Sequence, residues 1–192
     1  MPSSRTFLRW LPTFLGFPAA GLLTVSTVGP LTSPGAGLLG GALAGTVVGG
    51  AQWLALRASG VGRAWWAATV VAAALGTAIA VAATDAGTST SALVVRGLIT
   101  GAVIGLAQGI AVHRSALRIG AWTAATTAAW GIGWLATANV IVDADRGFAV
   151  FGSSGALLAT ILTGLALPLL LGRGAPTAAA AEPAEVAIEV AR

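Results

Sequence analysis

The sequence predicts an all-α integral membrane protein: six transmembrane helices arranged as three like-oriented helical hairpins with a pseudo-threefold relation. Three observations lead there. The 192-residue chain is 56% hydrophobic and only 8% charged, against roughly 25% charged residues in an ordinary soluble domain. It holds six apolar runs near the roughly 20 residues that a helix needs to cross about 30 Å of hydrocarbon. It also repeats a glycine pattern at an offset of 56 residues: GALAGTVVGGAQWLALR begins at Gly41 and GLITGAVIGLAQGIAVH begins at Gly97.

The predicted spans are Leu11 to Val28, Gly37 to Leu56, Ala64 to Thr84, Ala92 to Val112, Gly120 to Val142 and Phe148 to Leu171. Short linkers with turn or charge signals separate them, namely Pro30 to Pro34, Arg57 to Arg63, Asp85 to Ser91, His113 to Arg118 and Asp143 to Gly147. The first span follows Arg5 and Arg9 as a signal peptide would. No clear small-residue cleavage site closes it, and its place in the repeat predicts that it is retained.

Arginine placement orients the spans. Arg5, Arg9, Arg57, Arg63, Arg114, Arg118, Arg173 and Arg192 fall on one side, and only Arg96 and Arg146 on the other, beside Asp85, Asp143 and Asp145. The expectation is a bacterial inner (plasma) membrane protein with both termini cytoplasmic.

At the 56-residue offset Gly41 pairs with Gly97, Gly45 with Gly101, Gly49 with Gly105 and Gln52 with Gln108, while Trp10, Trp66 and Trp122 form a series. With a three-residue insertion the sixth span joins the pattern, Leu167 standing where the others have glutamine. The units are about residues 9–57, 63–114 and 119–173, making a membrane domain over 1–173. An Ala-, Pro- and Glu-rich tail over 174–192 is predicted to be a disordered cytoplasmic extension. Each unit has an even number of crossings, so successive copies share one orientation, unlike inverted transporter repeats.

At 100° per residue the three glycines and the glutamine of each ladder fall within an arc of about 80°. Small residues on one face let helices approach closely in lipid, so the ladders are predicted packing seams. Gln52 and Gln108 are either interhelical clasps or contacts on a solute or ion path. Thr123, Thr127, Trp130, Trp134 and Thr137 share a face of the fifth span, which is bundle core or the wall of a groove. Trp10, Trp65, Trp66 and Trp122 lie at cytoplasmic helix entrances, where an aromatic belt is expected. Asp85, Arg96, Asp143, Asp145 and Arg146 form an outer charged cluster; Arg96, a few residues inside its span, calls for an acid such as Asp85 or Asp143.

The motif GxxxGxxxGxxQWLxLR, carried here by Gly41, Gly45, Gly49, Gln52, Trp53 and Arg57, resembles that of a group of uncharacterised bacterial multi-pass membrane proteins. The second copy departs, with Gly109 for the tryptophan and His113 for the arginine. The resemblance implies a multi-pass membrane protein and no activity.

Catalytic chemistry finds little material. Cysteine is absent and histidine occurs once, which excludes thiol nucleophiles, disulfides and thiolate metal sites. The stretch FGSSGA from Phe151 is not a G-x-S-x-G elbow, and no phosphate-binding loop or dinucleotide fingerprint is present. The sequence therefore assigns no catalytic residue, cofactor or metal. Its net charge of +4 comes from arginines scattered between apolar runs, which argues against a nucleic-acid surface. The expected partners are the lipid bilayer and a second copy of the chain or another membrane protein. The function expected is a non-enzymatic structural or interaction component of the membrane, with a small channel or transporter as the alternative.

Overall fold

The computed structural model describes residues 4–113, 115–140 and 152–172. Every regular element among them is helical. The first apolar segment is broken: α1 (Ser4–Trp10) leads through a 3-10 turn (Leu11–Leu15) into α2 (Gly16–Thr27). Pro12 sits at the start of that turn and Pro18 in the first turn of α2, where a missing N–H is tolerated. Five longer helices follow: α3 (Pro34–Leu56), α4 (Ala64–Ala83), α5 (Thr90–Val112), α6 (Ala116–Val140) and α7 (Ser153–Leu171).

The two glycine-ladder helices begin alike. The Ser33 hydroxyl accepts a hydrogen bond from the Ala36 N–H (3.2 Å), and Ser89, 56 residues later in the sequence, accepts one from Ala92 (3.3 Å). A serine cap satisfies one orphan amide of the first turn. After α3 a short 3-10 turn (Arg57–Ser59) ends on Gly60 at φ 84°, a left-handed conformation that glycine adopts without steric cost.

Five segments are long and apolar enough to cross a membrane: Ser4–Thr27, Pro34–Ser59, Ala64–Ala83, Thr90–Val112 and Ser153–Leu171. Helix α6 has sufficient length at 25 residues, but Arg118, Asn139, four threonines and three tryptophans lower its hydropathy. The fifth predicted span is thus a helix of membrane length without the apolar character of the other five. Its predicted last residues, 141–142, and the predicted start of the next span, 148–151, lie outside the described residues. So do Arg114, Arg173 and the 174–192 tail.

Neighbours in chain order are neighbours in space, and α7 returns to pack against the 3-10 turn, α1 and α2. The glycine faces decide which pairs come closest. A Cβ added at Gly41 would strike the Ala73 carbonyl oxygen, and one at Gly45 would lie 2.8 Å from the Ala73 Cβ and 2.9 Å from the Val70 Cα, all on α4. On α5, the corresponding atom at Gly97 would meet the Trp130 carbonyl at 2.7 Å, and at Gly101 the Trp130 Cβ at 2.7 Å, both on α6. Only a bare Cα permits such backbone-to-backbone crossings. Gly164 of α7 meets side chains instead, Phe7 at 2.8 Å and Trp10 at 2.9 Å.

Candidate functional site

The six ladder glycines are all buried, and they place two glutamines at the centre of the bundle. The Gln108 Nε2 on α5 donates to the Gln52 Oε1 on α3 (3.2 Å) and to the Thr69 Oγ1 on α4 (3.0 Å). The Gln108 Oε1 accepts from the Trp122 Nε1 on α6 (3.2 Å). The Thr69 hydroxyl passes its own proton back to the Trp65 carbonyl (2.8 Å). Four helices are thus joined through one amide, and the two glutamines that sit 56 residues apart in the sequence are hydrogen-bonded to each other. Such bonds average about 0.6 kcal/mol in a bilayer and reach about 1.7.

Beside this network runs a narrow slot in which the space open to the centre of a water molecule is about 20 Å³. Gln52, Gln108, Thr69, Thr77, Thr126 and Thr163 give it polar atoms, and Ala44, Val48, Ala73, Ile104 and Ala159 give it apolar wall. From Thr69 to Thr77 along α4 it extends about 12 Å at 1.5 Å per residue. On one side Phe17 and Trp130 meet edge-on, their ring centroids 5.9 Å apart. Towards the Gln108 end, Trp10, Trp65 and Trp122 cluster with Leu56, Val61, Leu167 and Leu170, the Trp65 and Trp122 rings 6.0 Å apart. A wider depression at the end of α5 is lined, among the described residues, by the consecutive Ile110 to His113 alone.

The tryptophans correct the sequence reading. Trp10, Trp65 and Trp122 are at most 1% exposed and so are core residues instead of an interfacial belt. Trp65 is held by packing alone, its Nε1 having no hydrogen-bond partner among the described residues, whereas each member of the 56-residue series gives its indole N–H to another helix. Trp10 donates to the Thr160 carbonyl on α7 (2.9 Å), Trp66 to the Thr46 carbonyl on α3 (3.0 Å) and Trp122 to Gln108 on α5. The three bonds join α1 to α7, α4 to α3 and α6 to α5. The series was visible in the sequence; its direction was not. Trp66 alone is exposed enough for a belt position, at 38%, stacked on Trp53 with centroids 6.3 Å apart.

The threonine and tryptophan face of α6 divides. Thr123 and Thr127 turn their hydroxyls onto the Ile119 and Thr123 carbonyls (2.8 and 2.7 Å). Trp130 and Trp134 fill the face opposite Gly97 and Gly101, and Trp130 also borders the slot.

The outer charged cluster is brought together only in part. Arg96 is 4% exposed, and its NH2 donates to the Leu31 carbonyl at 3.4 Å. Its NH1 has no partner. The expected acid is therefore absent from its surroundings among the described residues: Asp85 is exposed, at a left-handed φ of 47° just beyond the end of α4. Asp143, Asp145 and Arg146 lie outside the described residues.

Chemically, the slot offers amides, hydroxyls and indole edges, with no ionisable group on its wall. Proton-transfer catalysis needs a group whose pKa can be tuned towards the working pH, and ion paths favour rings of charges or carbonyls. The wall suits small neutral hydrogen-bonding species. Among the described residues no group of three or more His, Asp or Glu is placed to hold a metal. No protein-family model, curated protein or solved structure matches the chain.

Proposed function

We propose that the protein is a non-enzymatic structural or interaction component of a bacterial inner membrane, crossing it six times with both termini cytoplasmic. In this reading three like-oriented hairpins surround a pseudo-threefold axis, and the glycine ladders are seams between hairpins, as the motif shared with uncharacterised multi-pass bacterial proteins suggests. The observation that carries it is the bond between the equivalent glutamines Gln52 and Gln108. Amides that satisfy each other are spent on holding helices together. Its partners are lipid and either a second copy or another membrane protein.

A small channel or transporter is the second reading, favoured by the polar row along the slot. Flux in reconstituted vesicles separates the two. The structural reading expects no conductance and no solute or water permeation above protein-free vesicles. Flux that Gln52→Leu and Gln108→Leu both abolish would establish the channel. For topology, reporter fusions after Arg57 and Arg118 should read cytoplasmic, and a fusion after Ser89 extracytoplasmic; the opposite pattern would overturn the cytoplasmic termini, and a failure to alternate would overturn six crossings.

A further inference from the structure

We infer that the slot is a binding site for internal water, with the Thr126 hydroxyl as its principal anchor. Thr126 is 2% exposed, lines the slot, and its Oγ1 has no hydrogen-bond partner. Thr13, Thr137 and Thr160 also have unpartnered hydroxyls but do not line the slot, while Thr69 and Thr163, also on the slot wall, return theirs to the carbonyl one turn back. For Thr126 on the slot wall, the dry alternative leaves a buried donor and acceptor unmet.

Space and chemistry both fit water. The slot's 20 Å³ exceeds the roughly 10 to 15 Å³ that one water requires on the same measure. A buried water also needs two to four polar partners. Thr126 can give and accept. Thr163 Oγ1, which already donates to the Ala159 carbonyl (2.7 Å), retains acceptor capacity. Gln52 accepts from Gln108, and its own amide N–H groups make no hydrogen bond among the described residues, leaving donors for the slot. Anything much larger than a few waters is excluded by the same volume, and an ion finds no charge on the wall. The inference holds whether the bundle conducts or not.

The test is a structure of the full chain in lipid nanodiscs at a resolution that reveals ordered water. The expected result is solvent density in the slot within hydrogen-bond distance of the Thr126 Oγ1, about 2.5 to 3.0 Å. Density confined to protein, or a Thr126 hydroxyl rotated onto the Trp122 carbonyl, would overturn it. Thermal midpoints give an independent reading. Thr126→Val removes the anchor and should lower the midpoint by a few degrees, whereas Thr126→Ser, which keeps the hydroxyl, should stay near wild type. In a dry slot the valine would relieve an orphan hydroxyl, so an unchanged or raised midpoint counts against bound water. Should the valine variant fail to fold, the density and the serine variant still decide.

Discussion

The two complete glycine ladders and the degenerate one on α7 do the same task by different means. On α3 and α5 a Cβ added at any ladder glycine would lie closer than 3 Å to at least one backbone or Cβ atom of the next helix, and such atoms have no rotamer with which to retreat. On α7, Ala156 and Thr160 stand at the positions of two ladder glycines, and Gly164 opposes the rings of Phe7 and Trp10. That contact is supplemented by the indole bond from Trp10 to the Thr160 carbonyl. The facing segment is the one interrupted by a 3-10 turn. A seam made of backbone tolerates no added atom, while one made of side chains can shift.

The largest expected effects break the rigid seams. Gly41→Leu or Gly101→Leu should abolish folding or cost at least about 3 kcal/mol, the upper range for overpacking. The lipid-facing control Val71→Leu, at a position 59% exposed, should stay within about 0.5 kcal/mol. Thermal melts in detergent compare them, and equal midpoints would remove the packing role. At the adaptable seam the effect should be smaller. Gly164→Ala places its methyl against Trp10 and the half-buried Phe7 ring, of which Phe7 can turn aside, so about 1 to 2 kcal/mol is expected, against more for Gly45→Ala. The reverse order would show that the α7 contact is as rigid as the others.

The glutamines extend the comparison to side chains. Gln108 makes three hydrogen bonds and Gln52 one. Gln108→Leu should therefore cost about 1 to 2 kcal/mol, since it also strands the buried Trp122 indole, while Gln52→Leu should cost about 0.6 kcal/mol. Equal losses would mean that the pair bond dominates the network.

The ladders were legible because glycine spacing of four residues has one physical meaning on a buried helix, and the repeat located both glutamines. What could not be read was helix rotation. Where every face is apolar, hydropathy does not distinguish lipid from core, so Trp10, Trp65 and Trp122 looked interfacial although the bundle buries them. Arg96 shows the same limit. Its burial followed from its place in the helix, but the Leu31 carbonyl that receives it lies 65 residues away in sequence, and backbone acceptors leave no compositional trace. The helix caps Ser33 and Ser89 carry the same 56-residue spacing as the ladders.

The packed helices shut Gln52 and Gln108 away from bulk water, and accessibility tests this most directly. The chain has no cysteine, so Gln52→Cys and Gln108→Cys can each be introduced singly and exposed to a water-soluble maleimide in lipid vesicles. Both sites should label slowly compared with a cysteine replacing Ser59 in the exposed turn after α3, and Gln108→Cys, at 2% exposure against 8% for Gln52, should be the slower of the two. Labelling of both as fast as at Ser59 would contradict the closed bundle.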